Sequence, residues 1–368
     1  MNAMLSHDDD DNNDDEVLHA AVTATAADED KEEEDDAKHR HSNGNDTTET
    51  NYDSKYILDR IGKYPAEYHN RCQHSEESDI PHIRQDETWD CGLTCVQMIL
   101  QWLSADVEDV VDDVDVINDS SYEAATDSIR QNITNIETVW MIEFVATKSI
   151  WTIDLVMLLQ HILSCTPRIS PNNTNIDTSN VNDERECSIS CQMHLPQNFS
   201  YLFCSTNLGV EKSYSNLDYY QDAFQSDELR IQKLFNMAHG QNLPLLQTSH
   251  LELQVLVDVI SHKDVVAIVL LDNVVLRNLP SSEYSGHYVI LCGISYDEDL
   301  IHYAQLNCPD ENDNTPNDDF CIAIKNPGSW KHVEYITPSI FEKAWRARGT
   351  DEDVIFIAKQ VQGMDCIK

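Results

Sequence analysis

The chain has 368 residues, 41% of them hydrophobic, with 24 Lys or Arg against 66 Asp or Glu and a net charge of −42. That apolar fraction is enough to build a core, which excludes a wholly disordered chain. The charge excludes non-specific nucleic-acid binding, which draws its affinity from Lys and Arg neutralising phosphates, and it opposes docking on an anionic membrane.

Residues 1–50 carry 17 acidic side chains against Lys31, Lys38 and Arg40, including the runs Asp8–Asp11 and Glu32–Asp36. Such a segment cannot bury apolar area to offset its chain entropy, so residues 1–54 read as a disordered acidic tail, suited at most to a basic protein partner. The start, MNAMLSHDDDD, has neither basic residues nor an apolar stretch, and a secretory leader is not expected. Eleven scattered cysteines predict reduced thiols and a cytoplasmic or nuclear setting rather than a disulfide scaffold.

Beyond the tail, Leu93, Val96, Ile99, Leu100 and Leu103 recur at helical spacing and predict a helix beginning near Cys91. The acidic stretch 106–137 reads as an insertion. Thr152 is expected to cap a second helix carrying Leu155, Leu158, Leu159 and Ile162 on one face. The Asn-, Asp-, Ser- and Thr-rich stretch 170–197 is a second insertion. Strands are predicted at Val265–Leu271, His287–Cys292, Phe320–Ile324 and Val354–Ile357, with a third insertion at 307–319. Thr337-Pro338 marks a helix start, with proline where its missing N–H costs nothing. Helices followed by strands predict one α+β domain over residues 55–365, in which the Cys91 helix packs on a mostly antiparallel sheet.

The segment Gln85-Asp86-Glu87-Thr88-Trp89-Asp90-Cys91-Gly92 carries the strongest chemical signal. A cysteine where a loop enters a helix faces unpaired N–H groups and the positive end of the helix dipole, and both favour a thiolate. Gly92 permits close backbone approach, and Gln85 with the Cys91 N–H would form a two-donor oxyanion hole. A thiol nucleophile needs a base, and the base needs an orienting partner. Among 15 histidines only His287 follows a glycine at the head of an apolar strand, in SGHYVILCG. The next strand ends in Asn326-Pro327, placing an amide beside the imidazole. The order Gln85, Cys91, His287, Asn326 is that of papain-type enzymes, and it predicts attack on an amide, peptide or thioester carbonyl with no cofactor.

No metal site is expected. Cys187 and Cys191 have CxxxC spacing without a second pair, and Cys72, His74 and His82 define no geometry. Gly349-Thr350-Asp351-Glu352-Asp353 reads as an acidic turn.

WDCGLTC (89–95), SIWTIDL (149–155), CSTNLGV (204–210), GHYVILCG (286–293), KNP (325–327) and GTDEDVIF (349–356) together resemble the plant-type guanylyl cyclase family, over residues 78–360. That family is similar to bacteriocin-processing peptidases. The resemblance therefore implies a papain-like cysteine peptidase fold, with Gln85, Cys91, His287 and Asn326 at the catalytic positions. Many relatives have Asp at the position of Asn326; Asn can orient an imidazole but lacks the charge that stabilises its protonated form. The resemblance also implies a competing activity, cyclic GMP formation from GTP with Mg²⁺ or Mn²⁺, although no GxxxxGK[ST] loop is present. A third expectation is an inactive peptidase fold used for binding.

Overall fold

The computed structural model describes residues 52–63, 79–104, 139–164, 199–217, 224–280, 283–307 and 319–360. The acidic tail up to residue 51, nearly all of the three insertions, Cys72, His74, Cys187 and Cys191 lie outside these residues. At 52–54, expected as the end of the tail, Asp53 instead caps a helix that begins at Ser54. Every described residue belongs to a single unit spanning 48–368.

The frame is a mixed seven-stranded sheet in the order β2-β1-β7-β3-β4-β5-β6. Its strands are β1 (Phe199–Ser205), β2 (Leu245–Gln247), β3 (Val265–Asp272), β4 (Gly286–Ser295), β5 (Cys321–Lys325), β6 (Glu334–Ile336) and β7 (Val354–Lys359). The β1–β2 pair is parallel and all the others are antiparallel. The four strands expected from β-branched runs are β3, β4, β5 and β7, each extended or shifted by a few residues. Sequence reading missed β2 and β6, three-residue edge strands too short for a periodic signal, and took the β1 region only as a motif.

The central strands are apolar on both faces because helices cover both. On β3, Val266, Ile268 and Leu270 join one core while Val265, Ala267, Val269 and Leu271 join the other. The period-2 alternation of strand side chains divides one buried run between two layers. On the first face lie α2 (Cys91–Ser104), α3 (139–145), α4 (Thr152–Ser164), α5 (Phe224–Gly240) and α8 (Glu298–Asn307). On the second lie α1 (Ser54–Arg60), α6 (Leu253–Ile260), α7 (Asn273–Leu276) and α9 (Pro338–Trp345). Among the described residues no helix is long and apolar enough to cross a membrane.

Two expected helix starts came out differently. Thr337 does cap α9, its hydroxyl accepting from the Ile340 N–H, with Pro338 next. Thr152 does not cap α4. The Trp151 N–H donates instead to the Asp154 carboxylate, and the Thr152 hydroxyl turns inward to Asp353 and to the Tyr288 hydroxyl. A buried acceptor from the far end of the chain outbids the local cap.

Helix α2 sits directly on β4. A Cβ at Gly92 would lie 3.0 Å from Tyr288 Cδ2 and 3.2 Å from Leu155 Cδ1, so glycine is what allows the three elements to meet there. Gly92→Ala should therefore destabilise the protein despite alanine's better helix propensity. Overpacking of this kind costs about 1–3 kcal/mol, which would lower the urea unfolding midpoint; an unchanged or higher midpoint would contradict the close packing.

Candidate active site

The loop before α2 sets up the thiol. The Asp90 carbonyl accepts the first helical bond, from the Thr94 N–H. Its carboxylate does not cap the helix; one oxygen accepts from the N–H groups of Asp86 and Glu87, each at 3.3 Å, and braces the loop. The first helical N–H groups are thus left to the Cys91 sulfur, which also accepts from the Tyr288 N–H at 3.5 Å. Tyr288 follows His287 on β4, so the thiol is held at the backbone next to the histidine, and among the described residues no hydrogen bond joins the Cys91 sulfur to the His287 ring.

The helix-start expectation needs a correction at this point. Burial is the larger effect and pushes the Cys91 thiol up to about 11, while the N–H groups of Tyr288 and Gly92 pull it back only in part. Proximity to a helix N-terminus stabilises a thiolate only where water or a cation also reaches it. Burial likewise lowers the His287 pKa, with Asn326 raising it in part. In this conformation both groups are neutral.

His287 Nε2 and Asn326 Oδ1 are 2.9 Å apart. The amide's orientation is settled by its other neighbours. Oδ1 accepts from the Gly328 N–H at 2.9 Å, and Nδ2 donates to the Glu334 carboxylate at 3.2 Å. With Oδ1 an acceptor, Nε2 must carry the imidazole proton, which leaves Nδ1 with its lone pair free for a proton. Asn326 is fully buried, and its carbonyl is used as well, accepting from the Ser329 N–H and from His82 Nε2.

Gln85 is brought to the same place, its N–H bonded to the Pro327 carbonyl at 3.0 Å. Its side chain faces the other way from the expectation. The amide nitrogen donates to the Glu87 carbonyl at 2.7 Å, and Oε1 is buried without a partner among the described residues. A Cβ on Gly328 would lie 3.3 Å from His287 Cε1, 3.3 Å from Asn326 Oδ1 and 3.5 Å from Gln85 Oε1. Three of the four predicted residues thus converge on that spot, and the fourth, Cys91, is held one residue from His287.

Sequence reading missed Glu334 and Arg277. Glu334 is buried and lies 3.2 Å from the Arg277 guanidinium. Its only signal is an acidic residue inside the short apolar run VEYI, and Arg277 carried none. Among the described residues no three His, Cys, Asp or Glu side chains group to hold a metal ion.

The remaining motifs meet beneath α2. The Thr152 hydroxyl links Asp353 to the Tyr288 hydroxyl, and Asp351 accepts from the Tyr214 hydroxyl. The Asp351 carbonyl accepts from the Thr206 N–H and hydroxyl, tying 204–210 to 349–356. Asp351 and Glu352 hold φ of 50° and 51°, so the acidic stretch is a left-handed turn as expected. Burial pushes the Asp351 carboxyl up to about 6 and the Asp353 carboxyl well above its ordinary value. In SIWTIDL, Asp154 pairs with Arg230, which also reaches Asp227 at 3.2 Å and the Ser149 carbonyl at 2.8 Å.

A family pattern described as guanylylate cyclase matches residues 80–169 and 193–357. The chain belongs to the guanylylate cyclase family. Guanylyl cyclase 1 of Arabidopsis thaliana is 26% identical over 298 residues, which cover 77% of this chain and 77% of the plant protein. No solved structure matches the chain. The family match breaks between 169 and 193, inside the stretch read from composition as an insertion, and it runs through the acidic stretch 106–137. All of the residues converging on the site lie within the matched segments.

The buried thiol has a measurable consequence. A shift from 9.0 to about 11 leaves roughly a hundredfold less thiolate at neutral pH than in a free cysteine. Cys91 in the folded protein should react with iodoacetamide about a hundred times more slowly than a cysteine peptide at pH 7. Its rate should still be climbing at pH 9–10. Mass-spectrometric counting of alkylated Cys91 against pH checks this, and a plateau near neutral pH would show a thiolate already formed.

Proposed function

We propose that this family member has a papain-like core with a thiol hydrolase-type site, in which Cys91 attacks the carbonyl of an amide, peptide or thioester. The observation that supports it is the His287–Asn326 pair, with the imidazole's Nε2 proton committed to Asn326 and Nδ1 left as the base, on the strand whose next residue, Tyr288, donates its N–H to the Cys91 sulfur. Because both groups are neutral at rest, the proton leaves the thiol during attack rather than before it. His287 Nδ1 accepts that proton as the sulfur–carbon bond forms and returns it to the leaving amine or thiol, giving an acyl-enzyme that water then hydrolyses. The N–H groups at the start of α2 are the oxyanion donors. Gln85 joins them once its amide turns over and releases the Glu87 carbonyl. No cofactor takes part.

The reading is tested with an acylating activity probe carrying a good leaving group. Labelling should occur on the wild-type protein, be lost in Cys91→Ala, fall by about 10²–10⁴-fold in His287→Ala, and persist in Cys95→Ala. Labelling that survives Cys91→Ala would reject it.

A second reading follows from the family description and from the name of the Arabidopsis relative: conversion of GTP to cyclic GMP with Mg²⁺ or Mn²⁺. Purified protein that makes cyclic GMP equally well with and without Cys91→Ala would establish that reading in place of the first. The absence of both labelling and cyclic GMP would leave a binding role, with the acidic tail as the element suited to a basic protein.

A further inference from the structure

We propose that Glu334, held by Arg277, is a positioning residue that supplies to His287, through the Asn326 amide, the negative charge that the neutral Asn326 lacks. The inference rests on the thiol reading for its chemical purpose, although the coupling itself can be measured without it.

Asn326 can face the imidazole in only one way. Turning its amide over would set the Gly328 N–H against an NH2 group and a carbonyl oxygen against the Glu334 carboxylate, losing both hydrogen bonds and adding two repulsions. Glu334 therefore selects the rotamer that makes Oδ1 the acceptor, and with it the Nε2–H tautomer of His287. The carboxylate does more than orient. By accepting from Nδ2 it polarises the amide and leaves more negative charge on Oδ1, where His287 donates. When Nδ1 takes a proton, the imidazolium meets an amide already biased toward it. The path is short, 3.2 Å from Glu334 to Asn326 and 2.9 Å from Asn326 to His287, and both residues are buried, so screening by water is slight.

Arg277 acts with the opposite sign. It holds Glu334 at 3.2 Å and acts on the ring more strongly than the carboxylate does, so Glu334 offsets part of the Arg277 effect. Other ionisable groups on the elements around His287 are Cys91 on α2, Asp272 at the end of β3, Lys325 on β5 and His82 in the preceding loop. Burial lowers His287 most, the Asn326 hydrogen bond raises it, Arg277 lowers it, and Glu334, the smallest of the four effects, raises it.

The test is an NMR titration of the His287 ring in the full chain carrying Cys91→Ala, with the resonance identified by its loss in His287→Gln. Glu334→Gln keeps an acceptor for Asn326 and removes the charge; it should lower the His287 pKa by about half a unit or more. Arg277→Met should raise it. Opposite shifts are the signature, since a merely structural role would move both variants the same way or leave the titration alone while stability falls. Shifts of one sign, or none, overturn the proposal. Should Glu334→Gln not fold, the double variant Arg277→Met/Glu334→Gln is compared with Arg277→Met, a lower His287 pKa in the double variant supporting the coupling and any other result overturning it. Opposite shifts together with failed acyl labelling of the wild-type protein would retire the thiol reading and leave the coupling in place. Cys91-dependent labelling without shifts would do the reverse.

Discussion

The buried amide of Asn326 is the joint on which the site depends. It stands at the exit of β5, fully out of water, and each of its polar atoms has a partner: His287 and Gly328 on Oδ1, Glu334 on Nδ2, Ser329 and His82 on the carbonyl. A buried polar group without partners costs about 1–3 kcal/mol for each bond unmade. This set of contacts therefore gathers four separate stretches of chain, and they hold one another in register. The orientation of the imidazole, and the choice of which nitrogen bears the proton, are consequences of satisfying that one amide.

The sheet explains how residues so distant in sequence are brought to one region. Strand β4 is paired on both sides and covered on both faces, so His287 at its head inherits the rigidity of the core, and the Tyr288 N–H beside it reaches the Cys91 sulfur. Helix α2 can approach that closely because residue 92 has no side chain. Beneath it, the Thr152, Asp353 and Tyr288 contacts pin α4, β7 and β4 together. The motifs flanking the thiol are thus largely a buttress, and the carboxyls in it sit in surroundings that favour their protonated forms.

The same rigidity has an electrostatic cost. Packing that sets the thiol against the backbone next to His287 also removes water from both side chains, and desolvation outweighs the helix N-terminus. The resting site is a neutral pair rather than a thiolate–imidazolium pair, so its chemistry needs proton transfer coupled to attack. A charge behind Asn326 matters more in such a site than it would beside a pre-formed ion pair.

Much of this was legible in the residues themselves. The helix starting at Cys91, the β-branched runs of β3, β4, β5 and β7, the Thr337-Pro338 helix start and the order Gln85, Cys91, His287, Asn326 all follow from periodicity, turn chemistry and the local demands of a nucleophile, because those are short-range properties of the chain. Tertiary structure alone decided the rest. Glu334 and Arg277 lie 57 residues apart and meet only through sheet pairing; the Thr152 hydroxyl abandoned its own helix for Asp353; the Gln85 amide turned its oxygen inward; and the thiol stayed protonated. Each of these depends on which groups are desolvated together and which hydrogen-bond directions remain open once the layers close, and neither quantity exists until the fold does.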